Sequence, residues 1–439
     1  MSQEYKPARR IFFGLTSFQV LAMFRRGLFY SYLSIYLRFF LGLSVTETTL
    51  FGTVPMILNI LFQTFVWGVI SDRFQLRRTL VILGEILAGL GTLVVWYAHT
   101  LVNNYFLAGY VIILGLSIVE IFWSMSNVGW SSLISDIYPV EDRNSVQGKL
   151  MGIGGLGRIL GAFLGGLLYD GFQLQYEGWG FYEGSLFIVA AIIMLVSTVP
   201  MFFIPEGGIT GEKSQLEVAS DLEMKKRNST SRIFAIFIIA MVFINFGRNS
   251  IAIIMSQYLV LDSGFNVSSV TLSFIVNTHS VAVIIFGFLA GWISHKIGNA
   301  RTLVFGTVIS VAGLLLIGLA SDLILVFAGS FLRGTSEVII VSSSYAFASI
   351  LIPPKNRAKL FGVFNATLFL SWGIPGTFLA GPVTDILLGI GVSEVAAYQM
   401  AFLLGAGVIV IGLAILGALL LFKKVEITEE ENNAKNSPN

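Results

Sequence analysis

Residues 10–50, RIFFGLTSFQVLAMFRRGLFYSYLSIYLRFFLGLSVTETTL, return at 232–272 as RIFAIFIIAMVFINFGRNSIAIIMSQYLVLDSGFNVSSVTL, identical in 13 of 41 positions at an offset of 222. The matched pairs include Arg26 with Arg248, Ser34 with Ser256 and Tyr36 with Tyr258. Working outward, GVISDRFQLRRTLV at 68–81 matches GWISHKIGNARTLV at 291–304 in 7 of 14 positions. LGAFLGGLLYD at 160–170 then answers PGTFLAGPVTD at 375–385, and Asp142-Arg143 answers Asn356-Arg357. Two homologous halves follow one another in the same order, the parallel form of internal repeat found in one class of secondary transporter.

Hydrophobic residues make up 55% of the chain and charged residues 12%, against roughly 25% charged in soluble domains. A helix crosses a bilayer with about 20 apolar residues. Runs of that kind lie near 11–40, 46–71, 79–99, 104–135, 146–170, 182–204, 232–260, 267–294, 302–320, 323–351, 358–388 and 396–422. Their unbroken apolarity favours helices over the alternating strands of a barrel. The expected fold is an all-α integral membrane protein with 12 transmembrane helices in two pseudo-symmetric six-helix bundles, 1–204 and 232–422. The polar stretch 205–231 reads as a cytoplasmic linker and 423–439 as a disordered cytoplasmic tail.

Of the 27 Lys and Arg, 21 fall on one side of these spans and only Arg38 on the other. The positive-inside rule then predicts both termini and the linker in the cytoplasm of a multi-pass plasma (inner) membrane protein. The first helix has no small-residue cleavage site and is expected to stay attached. A net charge of +2, with the basic residues explained by topology, gives no reason to expect nucleic acid. The chain holds no cysteine, which removes thiolate metal sites and cysteine nucleophiles. It also lacks a Gly-Lys-Ser phosphate loop, a paired-His metal helix and a serine elbow, so no enzyme, metal or cofactor is expected.

Between the second and third spans, Gly68-Val-Ile-Ser-Asp72-Arg73-Phe-Gln-Leu-Arg77-Arg78 resembles the signature loop of the major facilitator superfamily. Gln75 stands where that family usually has Gly, whereas the second half keeps Gly298 and puts His295 in the Asp position. The segment Asp136-Ile-Tyr-Pro139-Val-Glu-Asp-Arg143 is similar to the family's next cytoplasmic loop, and Gly157-x-x-x-Gly161-Ala162-x-x-Gly165-Gly166 to its antiporter glycine motif. The resemblance implies a cytoplasmic gate built from Gly68, Asp72, Arg73, Arg77, Arg78, Asp136 and Arg143, whose ion pairs cross the seam between the halves.

Five arginines lie inside the spans: Arg25, Arg26, Arg158, Arg248 and Arg333. A charge at mid-membrane costs at least about 2.5 kcal/mol, so each needs a partner. Arg26 and Arg248 occupy equivalent places in the first and seventh helices, and the pseudo-two-fold axis turns both toward one central cavity. Two guanidiniums there suit carboxylate or phosphate oxygens. The placement resembles that in organophosphate:phosphate antiporters of the superfamily. Gln19 and Tyr30 lie on the face of Arg26, and Asn245 one turn before Arg248, where they can add hydrogen bonds. Arg25 points about 100° away from its neighbour, toward a packing partner. Arg158, Arg333 and Glu337 are further cavity candidates, Arg333 and Glu337 being spaced for a local salt bridge. Glu120 is the proton-coupling candidate, Glu85 a partner for a buried arginine, and His279 a hydrogen-bonded packing residue.

These readings converge on a monomeric secondary active transporter working by alternating access on a small organic or phosphorylated anion, coupled to protons or to a counter-anion. Two other readings stay open: a proton-driven exporter of hydrophobic solutes, and a non-transporting membrane sensor that kept the fold.

Overall fold

The apolar runs become helices because lipid offers backbone amides no partner outside the segment itself. The computed structural model describes residues 9–138, 140–173, 177–207, 230–352 and 357–435. Among the described residues twelve helices carry the fold. They are α1 (Arg9–Ile35), α2 (Val45–Phe62), α3 (Arg78–Thr100), α4 (Tyr105–Ile137), α5 (Val140–Tyr169), α6 (Ser185–Ser197), α7 (Thr230–Asn249), α8 (Ser269–Ile297), α9 (Asn299–Gly318), α10 (Leu323–Leu351), α11 (Arg357–Phe369) and α12 (Glu394–Lys435).

Among the described residues ten helices are long and apolar enough to cross a membrane, or eleven if the bent pair Leu360–Trp372 and Gly376–Gly389 counts as one span. The first helix falls outside that count, with Arg25 and Arg26 in its middle lowering its apolar content. Several spans are less regular than their sequence suggests. A helical segment over Ile254–Val260 continues α7 after a break at 250–253. The span begun by α11 bends by 49° between Leu360–Trp372 and Gly376–Gly389, where Pro375 has no N–H to give the helical ladder. Beyond the membrane-length part of α12 the backbone stays helical to Lys435, so most of the expected disordered tail is helix. Its Glu- and Lys-rich composition favours that continuation.

Chain direction defines two ends, a near end where α1 begins and a far end where α2, α4, α8 and α10 begin. Each of those four starts on a side-chain cap, from Ser44, Asn104, Ser268 and Asp322 respectively. At the near end Gln75 takes the left-handed conformation, φ 52° and ψ 31°, and its Nε2 donates to the Asp72 carbonyl at 2.7 Å. That left-handed turn ordinarily favours glycine and is held here by glutamine.

The glycine motif of α5 has a packing role. A Cβ at Gly157, Gly161 or Gly165 would collide with the backbone carbonyl of Val20, Phe24 or Leu28, and one at Gly27 with that of Arg158. α1 and α5 therefore meet backbone to backbone, a contact only small residues permit.

The 1–204 and 232–422 stretches meet where α5 packs on α8, where α2 packs on the segment Gly376–Gly389, and where Ile254–Val260 reaches α1 and α2. The hydrogen bonds that cross these seams cluster at the far end. Asp385 accepts from the backbone N–H of Val45 at 3.0 Å and of Thr46 at 2.8 Å, capping α2 from the other stretch. Its repeat counterpart Asp170 accepts from Ser269 Oγ at 2.7 Å, at the start of α8. Thr377 Oγ1 lies 2.8 Å from that of Thr49 and 2.7 Å from that of Thr53, and Gln257 Nε2 donates to Thr48 Oγ1 at 2.8 Å.

Candidate functional site

The mid-span charges form two groups. In the first, Arg25 and Arg26 of α1 both lie over the indole of Trp123 on α4, their guanidiniums 4.3 and 4.7 Å from the ring centroid. Trp123 Nε1 donates to Glu85 of α3 at 3.0 Å, and Ser126 Oγ donates to the same oxygen at 2.8 Å. Arg25 Nη1 stands 3.9 Å from the other carboxylate oxygen of Glu85. Two nitrogens of Arg25, Nε and Nη2, are buried without a hydrogen bond, and the indole face offers their electrostatic compensation.

Glu120, one turn before Trp123, accepts from Asn59 Nδ2 of α2. Tyr30 is 39% exposed, stacks on Phe51, and lines one small cavity with Arg25, Glu120 and Trp123. Gln19 is buried beside Gly154 of α5.

In the second group Arg248 is buried and donates Nε to Asn245 Oδ1 at 3.0 Å, while Asn245 Nδ2 donates to Thr367 of α11 at 3.3 Å. Asn245 thus orients the guanidinium and ties it to a second helix. Glu337 of α10 pairs with His279 Nε2 of α8 at 3.1 Å. Arg333, one turn before it, sends Nη1 to Met255 Sδ instead of making the local salt bridge its spacing allows. Arg158, Arg248 and Arg333 all lie within electrostatic range of Glu337, and Arg158 also within range of Arg26. Arg158 therefore links the two groups.

Among the described residues, Arg26, Arg158, Arg248 and Arg333 have no carboxylate oxygen within 4.0 Å. Their guanidinium donors remain available to an oxyanion.

Five contributors escaped the sequence reading: Asn59, Trp123, Ser126, Thr367 and Met255. Asn59 stood out as a polar residue in the apolar run PMILNILF, and Trp123 lies three residues from Glu120 on one helix face. Met255 gave no signal, because it lies beyond the break in α7.

At the near end Arg77 is buried and donates to Asp72 at 3.0 Å, to Asp136 at 3.1 Å and to Ser71. Its backbone N–H and the side chain of Arg78 both reach Glu206, at 2.9 and 3.2 Å. Arg73 lies over its neighbour Phe74, and Gly68 closes a π-helical turn on the Gln63 carbonyl. Among the described residues the partners of Arg77 lie in the first half and, through Glu206, at the start of the 205–231 stretch, so these pairs brace α2, α3 and α4 and the segment after α6. The side chain of Arg143 lies outside the described residues.

The family model of the Major Facilitator Superfamily matches residues 15–374 and 237–438. A galactose-proton symporter of Escherichia coli strain K12 is 23% identical over 155 residues, 35% of this chain and 33% of that protein. The aligned part is thus about a third of the length of that curated relative. The crystal structure of a bacterial homologue of the human lysosomal transporter Spinster, in an inward-facing and occupied conformation, has a TM-score of 0.70 at 15% identity, covering 94% of this chain and 97% of that one. The nucleoside transporter NupG has a TM-score of 0.67 at 13% identity, covering 93% and 99%. These structural likenesses concern the fold.

Proposed function

The chain belongs to the Major Facilitator Superfamily, and from that premise we propose that this multi-pass membrane transporter carries a small organic or phosphorylated anion. The observation behind this reading is the set of guanidiniums of Arg26, Arg158, Arg248 and Arg333 with no carboxylate at ion-pair distance among the described residues. Leaving cations unpaired at mid-membrane is costly unless a substrate supplies the missing charge.

In this reading the 1–204 and 232–422 halves rock about the central site, with both termini in the cytoplasm. Asn245 orients Arg248, Tyr30 and Gln19 border the path of Arg26, and Glu120 carries a coupled proton or yields to exchange of a counter-anion. Release of the far-end hydrogen bonds made by Asp385 and Thr377 accompanies outward opening, and the Asp72–Arg77–Asp136 group steadies the near-end face that then closes.

Thermal stabilisation of the purified protein against phosphates, organophosphates, carboxylates and hydrophobic cations tests this, because a ligand for the folded state raises the melting temperature. Arg26→Lys and Arg248→Lys keep the charge but lose the planar donor fork. Each is expected to lower anion uptake in proteoliposomes by at least about tenfold. Unchanged uptake in both would remove the anion site, and stabilisation by hydrophobic cations alone would put a proton-driven exporter in its place.

A further inference from the structure

Five arginines stand against three glutamates at mid-span, Glu85, Glu120 and Glu337, an excess of two positive charges when the glutamates are ionised. The excess is unevenly placed. Arg25 and Arg26 face Glu85 and Glu120 around Trp123, and that group is balanced. Arg158, Arg248 and Arg333 share one carboxylate, Glu337, which is engaged by His279 at 3.1 Å. With Arg158, which also reaches Arg26, counted beside Glu337, both surplus charges fall in the second group.

Resting on the anion reading above, we infer that the transported species is a dianion, received by Arg158, Arg248 and Arg333 beside Glu337. A monoanion would leave one cation uncompensated in a low-dielectric space, and a dianion brings the group to neutrality. The parts fit such a guest. Arg248 has its Nε engaged by Asn245, leaving its two terminal amines for paired donation. The side chain of Arg158 makes no hydrogen bond or ion pair with another described residue. Arg333 is held only through a weak sulfur acceptor. Glu337 sets the count, since its charge is what keeps a third negative charge from being accommodated.

The test is titration of the full-length purified protein at pH 8 with two pairs of probes differing by one charge. The pairs are succinate against its monomethyl ester, and propyl phosphate against methyl propyl phosphate. Phosphomonoesters are dianions at that pH because their second pKa is about 6. At least one pair is expected to favour the dianion by about tenfold or more, and which pair does so separates phosphoryl from dicarboxylate chemistry. Arg333→Gln, and independently Arg158→Gln should the first not fold, is expected to shrink that ratio several-fold, whereas Glu337→Gln enlarges it.

Equal binding of both members of each pair would overturn the dianion while leaving the anion site intact. Binding of no anion at all would remove the anion reading itself and this inference with it.

Discussion

At the residue scale, the chain accepts strain at one position and gains contact at another. Gln75 holds a left-handed backbone at φ 52°, which costs a side-chain-bearing residue roughly 1 kcal/mol or more relative to glycine. Gln75→Gly is thus expected to raise stability by about 1 kcal/mol, less the Nε2 bond to Asp72 it forfeits, a shift measurable as a higher melting temperature. An unchanged or lowered melting temperature would mean that the Gln75–Asp72 bond outweighs the strain. The arginines were legible as sequence because a charge in an apolar run stands out, but their partners were not. Arg333 and Glu337 are spaced for a local pair, yet Glu337 turns to His279 and Arg333 to Met255. Which face of a helix meets which neighbour depends on rotations and breaks, such as that at 250–253, that no residue spacing records.

At the element scale the contact of α1 with α5 and the bend in the α11 span govern what can move. Gly161 meets the Phe24 carbonyl so closely that any Cβ must push the helices apart. Gly161→Ala should destabilise the protein by about 1–3 kcal/mol, read as a lower melting temperature, with Gly389→Ala as a control because nothing lies near that glycine. Loss of transport without loss of stability would assign the motif to gating instead. Asp385 is a helix cap supplied from another part of the chain, so Asp385→Ala should weaken closure of the far end by about 0.5–2 kcal/mol. Distances between spin labels across that end would then report a larger open fraction. The spans themselves were readable from apolar run length, whereas the 49° bend was not. Pro375 marked the spot, but kink size follows from packing around α2.

For the whole molecule, the repeat foretold more than the composition did. It pairs Asp170 with Asp385, and the structure puts both carboxylates at helix starts on opposite seams. It did not foretell the partners Arg77 and Arg78 take after α2. Asp136 and Glu206 reach Arg77 and Arg78 first because α4 and the segment after α6 are their immediate neighbours.

Thr49 and Thr377 face each other across the far end with hydroxyl oxygens 2.8 Å apart, in a chain without a single cysteine. Replacing both by cysteine would make one thiol pair within bonding reach, with no other sulfhydryl to compete for it. Oxidation would then staple the far end shut, holding a carrier that still takes up ligand from one side yet cannot turn over until a reductant cuts the staple. Transport assayed before and after reduction would read whether this end must part in every cycle.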